Sequence, residues 1–185
     1  SHGAPLGEEL IQRAKIEAGF DPDKHFFVSE DVLFQTRAAV EKGDLEEALW
    51  KKSLESLTSE KKELLNSLLN PGFSKVEYPD FSGQKLATRD SNGKIINAIS
   101  KAVPSFLGGS ADLAPSNKTT LNDAGTFPDG KNIHFGIREH AMAAINNAIA
   151  RYGLFVPFSA TFFIFSDYLK NSARMAALMK LKHFF

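Results

Sequence analysis

The chain contains no cysteine. Disulfide staples, thiolate nucleophiles and zinc–thiolate centres are therefore excluded within it. It also lacks a charge imbalance: Lys+Arg and Asp+Glu both number 22, for a formal net charge of zero. Such a chain exerts no broad electrostatic pull on nucleic acid or an anionic membrane, and neither is expected as a partner. No apolar run is long enough to cross a bilayer, since the most apolar stretch, 154–169, is broken by Pro157, Ser159, Thr161, Ser166 and Asp167. The first residues, Ser1-His2-Gly3-Ala4-Pro5, lack the basic and apolar regions of a secretory signal. A soluble, cytoplasmic protein is the expectation. The five histidines, at 2, 25, 134, 140 and 183, show no metal-ligand spacing, so no metal ligand is assigned in this chain. Tryptophan and tyrosine are scarce, at 1 and 3, against 16 phenylalanines. Most of the latter, about four in five, are expected in a core, leaving a few to line a flat apolar pocket.

What is present suffices for one well-cored domain, or one domain and part of another: 185 residues, 43% of them apolar. The first third reads as polar helix. Gly7 to Glu17 puts Leu10, Ile11 and Ala14 on one face, and Ser29-Glu30-Asp31 is a helix start with a capping hydroxyl ahead of two acids. Helical periodicity covers 31–42 and 45–69 until Asn70-Pro71-Gly72 ends it. Residues 70–84 read as a linker.

Beyond the linker, strands alternate with helices. Ser91 is expected to cap a helix whose Ile95, Ile96, Ile99 and Val103 face a core. A strand at Phe106-Leu107-Gly108 leads into a polar loop running to Lys131. A helix from Arg138 to Tyr152 carries Met142, Ile145 and Ile149 on one side. A strand from Leu154 to Phe158 and a helix from Phe162 to Leu181 follow, and 182–185 read as the start of another strand. The rhythm predicts an α/β fold, a parallel sheet with flanking helices, preceded by a mostly helical segment. In such sheets ligands bind where the carboxyl ends of strands give way to helices. A chain that opens in a loop and stops as a strand begins is expected to be an internal piece of a longer protein.

Four places carry candidate chemistry. Glu139, in Phe135-Gly136-Ile137-Arg138-Glu139-His140, is an acid in the first turn of a helix, where a favourable dipole interaction is reason enough for it. In apolar surroundings, which favour the neutral form of a carboxyl, such a group can instead share a proton with a ligand's ring nitrogen. Gly108-Gly109 lets the backbone approach a ligand closely, or simply makes a turn. Arg89 is either a solvated cation or a two-pronged phosphate clamp. His2, on its own, is as readily structural as functional.

Together, the segments SHGAPLG (1–7), LATR (86–89), FLGGSADLAPSN (106–117), HFGIREHAM (134–142), ATFFIFSDY (160–168) and ARMAALM (173–179) resemble the transketolase family, in its order and near its spacings. GGSADLAPSN followed by GIREH points to transketolase rather than to deoxyxylulose-phosphate synthase. The resemblance implies residues 1–69 as the tail of a diphosphate-binding domain, 70–84 as linker and 85–185 as the first part of a pyrimidine-binding domain. It implies transfer of a two-carbon ketol unit between sugar phosphates in the pentose phosphate pathway, with thiamine diphosphate and Mg²⁺. Ligands for the Mg²⁺ would lie outside this chain.

Glu139 matches the family's glutamate on the aminopyrimidine ring nitrogen, and is the catalytic candidate. Phe162, Phe165 and Tyr168 match the aromatic pocket around that ring, their spacing placing them along one helical side. Arg89 and Ser116 match residues that hold the sugar phosphate, His2 one near both diphosphate and substrate, and Asp112 and Leu113 the pocket border. A homodimer sharing its active sites between subunits is implied as well. The 185 residues alone are expected to be inactive. A non-catalytic assembly subunit, or a fragment of a split thiamine-dependent enzyme, is the alternative.

Overall fold

Helix starts in the first third follow local chemistry. In the computed structural model, which describes residues 2–185, α1 spans Glu8–Glu17 and α2 spans Glu30–Glu55. The Ser29 hydroxyl accepts the Val32 N–H and satisfies one of the helix's free donors, as the sequence suggests. α2 runs through Gly43 and Asp44 without the expected break; the break falls at 56–58, where Thr58 caps α3, Ser59–Leu69. One unit of the chain ends at Leu57 and a second covers Thr58–Phe185. Neither α1 nor α2 buries a single residue, and Leu10, Phe20, Phe34, Leu49 and Trp50 are all exposed.

The second unit carries the core. A short 3₁₀ turn at Phe73–Lys75 leads by an extended segment to α4, Thr88–Ala102. Ser91 does not cap α4. It lies one turn inside, its hydroxyl donating to the Thr88 carbonyl. Ile96, Ile99 and Val103 are buried as their period requires, each contributing about 2 kcal/mol by leaving water. The Lys131 ammonium donates to the Ser100 and Val103 carbonyls, at 2.7 and 3.4 Å, at the negative end of this helix. Burial lowers the Lys131 pKa from its ordinary value.

β1, Phe106–Ser110, enters the middle of the second unit and is followed by the four-residue α5, Ala114–Asn117. α6, Glu139–Tyr152, leads to β2, Val156–Ala160, two residues later than its apolar run suggests. The expected single helix over 162–181 is instead a 3₁₀ turn, Phe163–Phe165, continuing into α7, Ser166–Leu178. β1 and β2 pair in parallel from Phe106↔Val156 to Ser110↔Ala160. Asn132 bridges Gly108 and Phe184 bridges Phe158, both in parallel, so the layer is four lanes wide at its centre. The expected α/β fold with a parallel sheet is what forms, and the residues near 184 do begin a further lane.

Two apolar clusters hold this layer. One joins Val76, Ile96, Ile99, Val103, Phe106, Leu121, Val156 and Phe158; the other joins Ala111, Phe135, Met142, Ala143 and Leu169. Only Phe106, Phe135 and Phe158 of the phenylalanines are buried, far fewer than their abundance suggests. The paired glycines let neighbouring backbone pack closely within the sheet. A side chain at Gly108 would run into the Phe158 carbonyl oxygen, and one at Gly109 into that of Ile133.

The core face of α6 is partly polar. Ile145 points out, and Asn146 and Asn147 are buried beside Met142 and Ala143. Asn146 Nδ2 donates to the Phe158 carbonyl at 2.8 Å and to Ser159 Oγ at 2.9 Å, tying α6 to β2. Asn147 Nδ2 donates to the Ser172 carbonyl at 2.8 Å, tying it to α7. Asn147 Oδ1 must then accept, so His183 Nδ1, 2.8 Å away, carries the proton. His183 Nε2 in turn accepts from the Ser159 hydroxyl at 2.9 Å.

The network needs a neutral ring, and burial pushes His183 down to about 4, below the ordinary 6.5. A depressed histidine stabilises the fold fully above the unfolded value and loses that contribution as pH falls from 6.5 toward 4. The ceiling is about 3 kcal/mol, and solvent screening of a half-exposed ring reduces it to roughly half. His183→Gln is expected to flatten the thermal midpoint between pH 7 and 4 relative to the native protein. Parallel curves for the two proteins would refute this account of His183.

Candidate functional site at the strand ends

The register of β1 and β2 brings Ser110 and Ala160 side by side, so the segments that follow them leave from the same edge of the sheet. After β1, Ser110 Oγ accepts the Leu113 N–H at 3.2 Å and Asn117 Nδ2 at 2.8 Å. Asn117 Oδ1 accepts the Thr119 hydroxyl. These buried bonds fold the Ser-Ala-Asp-Leu-Ala-Pro-Ser-Asn run into α5, leaving Asp112 and Ser116 exposed and Leu113 half-buried. α4 packs against α5. Arg89, exposed in the first turn of α4, and Ser116 thus belong to neighbouring helices.

After β2, Thr161 and Phe162 continue in extended backbone before the 3₁₀ turn. Phe162 therefore precedes the helix, and the three aromatic candidates do not line one helical side. Phe162 and Phe165 are half-buried, whereas Tyr168 is 67% exposed, its ring 6.3 Å from that of Phe165. Phe163 and Ile164 between them face outward.

Glu139 is the first residue of α6 and only 8% exposed. The lock of α6 onto β2 through Asn146 holds it over the strand ends, where the Thr161 hydroxyl donates to its Oε1 at 3.3 Å. No cation reaches the carboxyl among the described residues. Arg138 turns back to the Phe135 carbonyl at 3.0 Å, and His140 Nδ1 lies 3.2 Å from Ser172 Oγ. Oε2 has no hydrogen bond among the described residues, so one oxygen is engaged and one is free.

A buried acid with an uncommitted oxygen, bonded to the residue that precedes Phe162 at the strand end, suits a flat, weakly basic ring carrying a nitrogen. His2 lies exposed in a turn of the first unit. Sequence reasoning missed Thr161, which has no signature beyond following a strand. It also missed Asn146 and Asn147, although two adjacent amides on an otherwise apolar helical period signal buried polar contacts.

Parallel strands, each giving way to a helix above which an isolated acid is held, define an α/β ligand-binding domain. The chain belongs to the transketolase family: residues 1–71 match its thiamine diphosphate binding domain and residues 84–185 its pyrimidine binding domain. A transketolase of Staphylococcus aureus (strain MRSA252) is 43% identical over 194 residues, covering 97% of this chain and 29% of its own length. One from Geobacillus stearothermophilus is 42% identical over 193 residues, with the same two coverages. Among solved structures, transketolase from Campylobacter jejuni aligns with a TM-score of 0.90 at 65% identity, over 98% of this chain and 28% of that one. Pichia stipitis transketolase in complex with sedoheptulose-7-phosphate aligns with a TM-score of 0.83 at 28% identity, over 97% and 29%. The chain therefore spans 29% of the length of these curated relatives. No helix among the described residues is long and apolar enough to cross a membrane.

Proposed function

We propose that the protein carrying this chain is a thiamine-diphosphate-dependent transketolase, moving a two-carbon ketol unit from a ketose phosphate to an aldose phosphate in the cytoplasmic pentose phosphate pathway. The observation that carries the reading is Glu139: buried and, among the described residues, free of any ion pair and holding one oxygen uncommitted at the strand ends. When bound, the cofactor supplies a stabilised carbanion for the carbon–carbon chemistry. The chain's own part is to hold and orient it. Glu139 would hold the pyrimidine ring nitrogen and exchange a proton at Oε2, and Phe162, Phe165 and Tyr168 would line the ring.

Arg89 and Ser116, on packed helices, hold the sugar phosphate, and His2 serves both diphosphate and substrate. Asp112 and Leu113 border the pocket. The matched ranges support residues 1–69 as diphosphate-domain tail, 70–84 as linker and 85–185 as pyrimidine domain. Mg²⁺ would accompany the diphosphate, on ligands outside this chain. A homodimer fits the exposed apolar side chains Ile145 and Tyr152 on α6 and Ile137 just before it.

The direct test is ketol transfer by the intact protein with thiamine diphosphate, Mg²⁺ and a phosphorylated donor and acceptor. No transfer would sink the reading. In the same assay Arg89→Ala should raise KM for phosphorylated sugars about tenfold to hundredfold, with little change in cofactor affinity. Equal losses with phosphorylated and unphosphorylated acceptors would remove Arg89 from the phosphate site.

A further inference from the structure

The carboxyl that faces the proposed cofactor ring is engaged at one of its two oxygens. Its one hydrogen bond among the described residues comes from Thr161, the residue after β2, whose hydroxyl donates to Oε1 at 3.3 Å. A hydroxyl donor marks the oxygen it reaches as an acceptor, so the proton that Glu139 exchanges belongs on Oε2. Arg138 and His140 cannot do this work, since one is turned to the Phe135 carbonyl and the other to Ser172. Thr161 is itself fixed. It follows the last residue of β2, Ala160, whose carbonyl accepts the Ala111 N–H at 3.0 Å, and its side chain is half-buried.

We propose that Thr161 is a positioning residue of the site: it pins Oε1 of Glu139 and thereby presents Oε2 to the pyrimidine ring nitrogen of thiamine diphosphate. The inference rests on the cofactor reading given above. It assigns a role to the strand-end hydroxyl, which touches the carboxyl. A carboxyl without this bond would lose orientation, and the affinity lost would come from the pyrimidine end alone. Thr161→Val keeps the shape and removes the donor; Thr161→Ser keeps the donor and removes the methyl.

The test measures dissociation constants of the intact apoprotein for thiamine diphosphate by titration calorimetry with Mg²⁺, alongside inorganic pyrophosphate as a probe of the other end. Thr161→Val should weaken thiamine diphosphate about tenfold, and Thr161→Ser should stay within about twofold of the native protein. Pyrophosphate affinity should be unchanged in both. Should the Val variant fail to fold, Thr161→Ala carries the same comparison. Native affinity in the Val variant would overturn the proposal, as would an equal loss in the Ser variant or a matching loss of pyrophosphate binding. Glu139→Ala separates the two levels. If it too binds thiamine diphosphate as the native protein does, the cofactor reading itself fails; if it binds weakly while Thr161→Val does not, only the role of Thr161 falls.

Discussion

Glu139→Gln should lower kcat for ketol transfer by about 10²–10⁴-fold, the range for loss of a positioned acid–base group. The amide has nearly the shape of the carboxyl and still accepts from Thr161, so packing at the start of α6 survives. What it cannot do is give up and reclaim a proton at the second oxygen. Stability should change little, because the lost charge contributes only about 0.3–1 kcal/mol through the helix dipole. The thermal midpoint of the apoprotein should therefore stay within about 5 °C of the native one. Turnover within about threefold of native, in a protein that melts normally, would leave Glu139 as a helix-start acid and nothing more.

The other large effect concerns the fold. Gly109→Ala should cost more than about 4 kcal/mol and leave the second unit largely unfolded at room temperature. The added methyl has nowhere to go, since the Ile133 carbonyl oxygen occupies its place and belongs to backbone that is itself tied to Gly108. At Gly108 the obstacle is the Phe158 carbonyl, so the two positions fail by the same mechanism on opposite neighbours. Gly43 is the contrast. It lies within α2 with nothing within 4 Å of an added Cβ, and Gly43→Ala should stabilise that helix by about 0.5–1 kcal/mol. Circular dichroism and thermal melts of the Gly109→Ala and Gly43→Ala variants decide the matter. A folded Gly109→Ala protein with a native midpoint would refute it.

Much of this architecture is legible from local chemistry. The caps at Ser29 and the stop at Asn70-Pro71-Gly72, the buried period Ile96–Ile99–Val103, and the order of strands and helices after residue 84 all follow from residue type and spacing. Other features depend on contacts between segments distant in sequence. Ser91 looks like a cap, but α4 starts one turn earlier at Thr88. Ile145 reads as core by period, yet the core face of α6 is set by Asn146 and Asn147, whose partners Phe158, Ser159 and Ser172 come later in the chain.

The phenylalanines misled because abundance says nothing about where partners lie: Phe20 and Phe34 sit on a unit that buries nothing of its own along α1 and α2. Within the site, Glu139 was visible through its motif. Its restraint by Thr161 was not, because a single hydroxyl across 22 residues leaves no pattern in the sequence.

The string from Asn146 through Ser159 and His183 to Asn147 has the outline of a serine–histidine–amide triad, and its polarity shows why it is not a reactive one. Every donor points the same way, from the Asn146 amide through the Ser159 hydroxyl and the imidazole to Asn147, whose own amide ends on the Ser172 carbonyl. Neither terminus is a group that readily releases or takes up a proton, and Ser159 is only 3% exposed. The string is a latch and not a wire. It carries no charge to the sheet edge where Glu139 lies, and what it passes on to Glu139 is position alone.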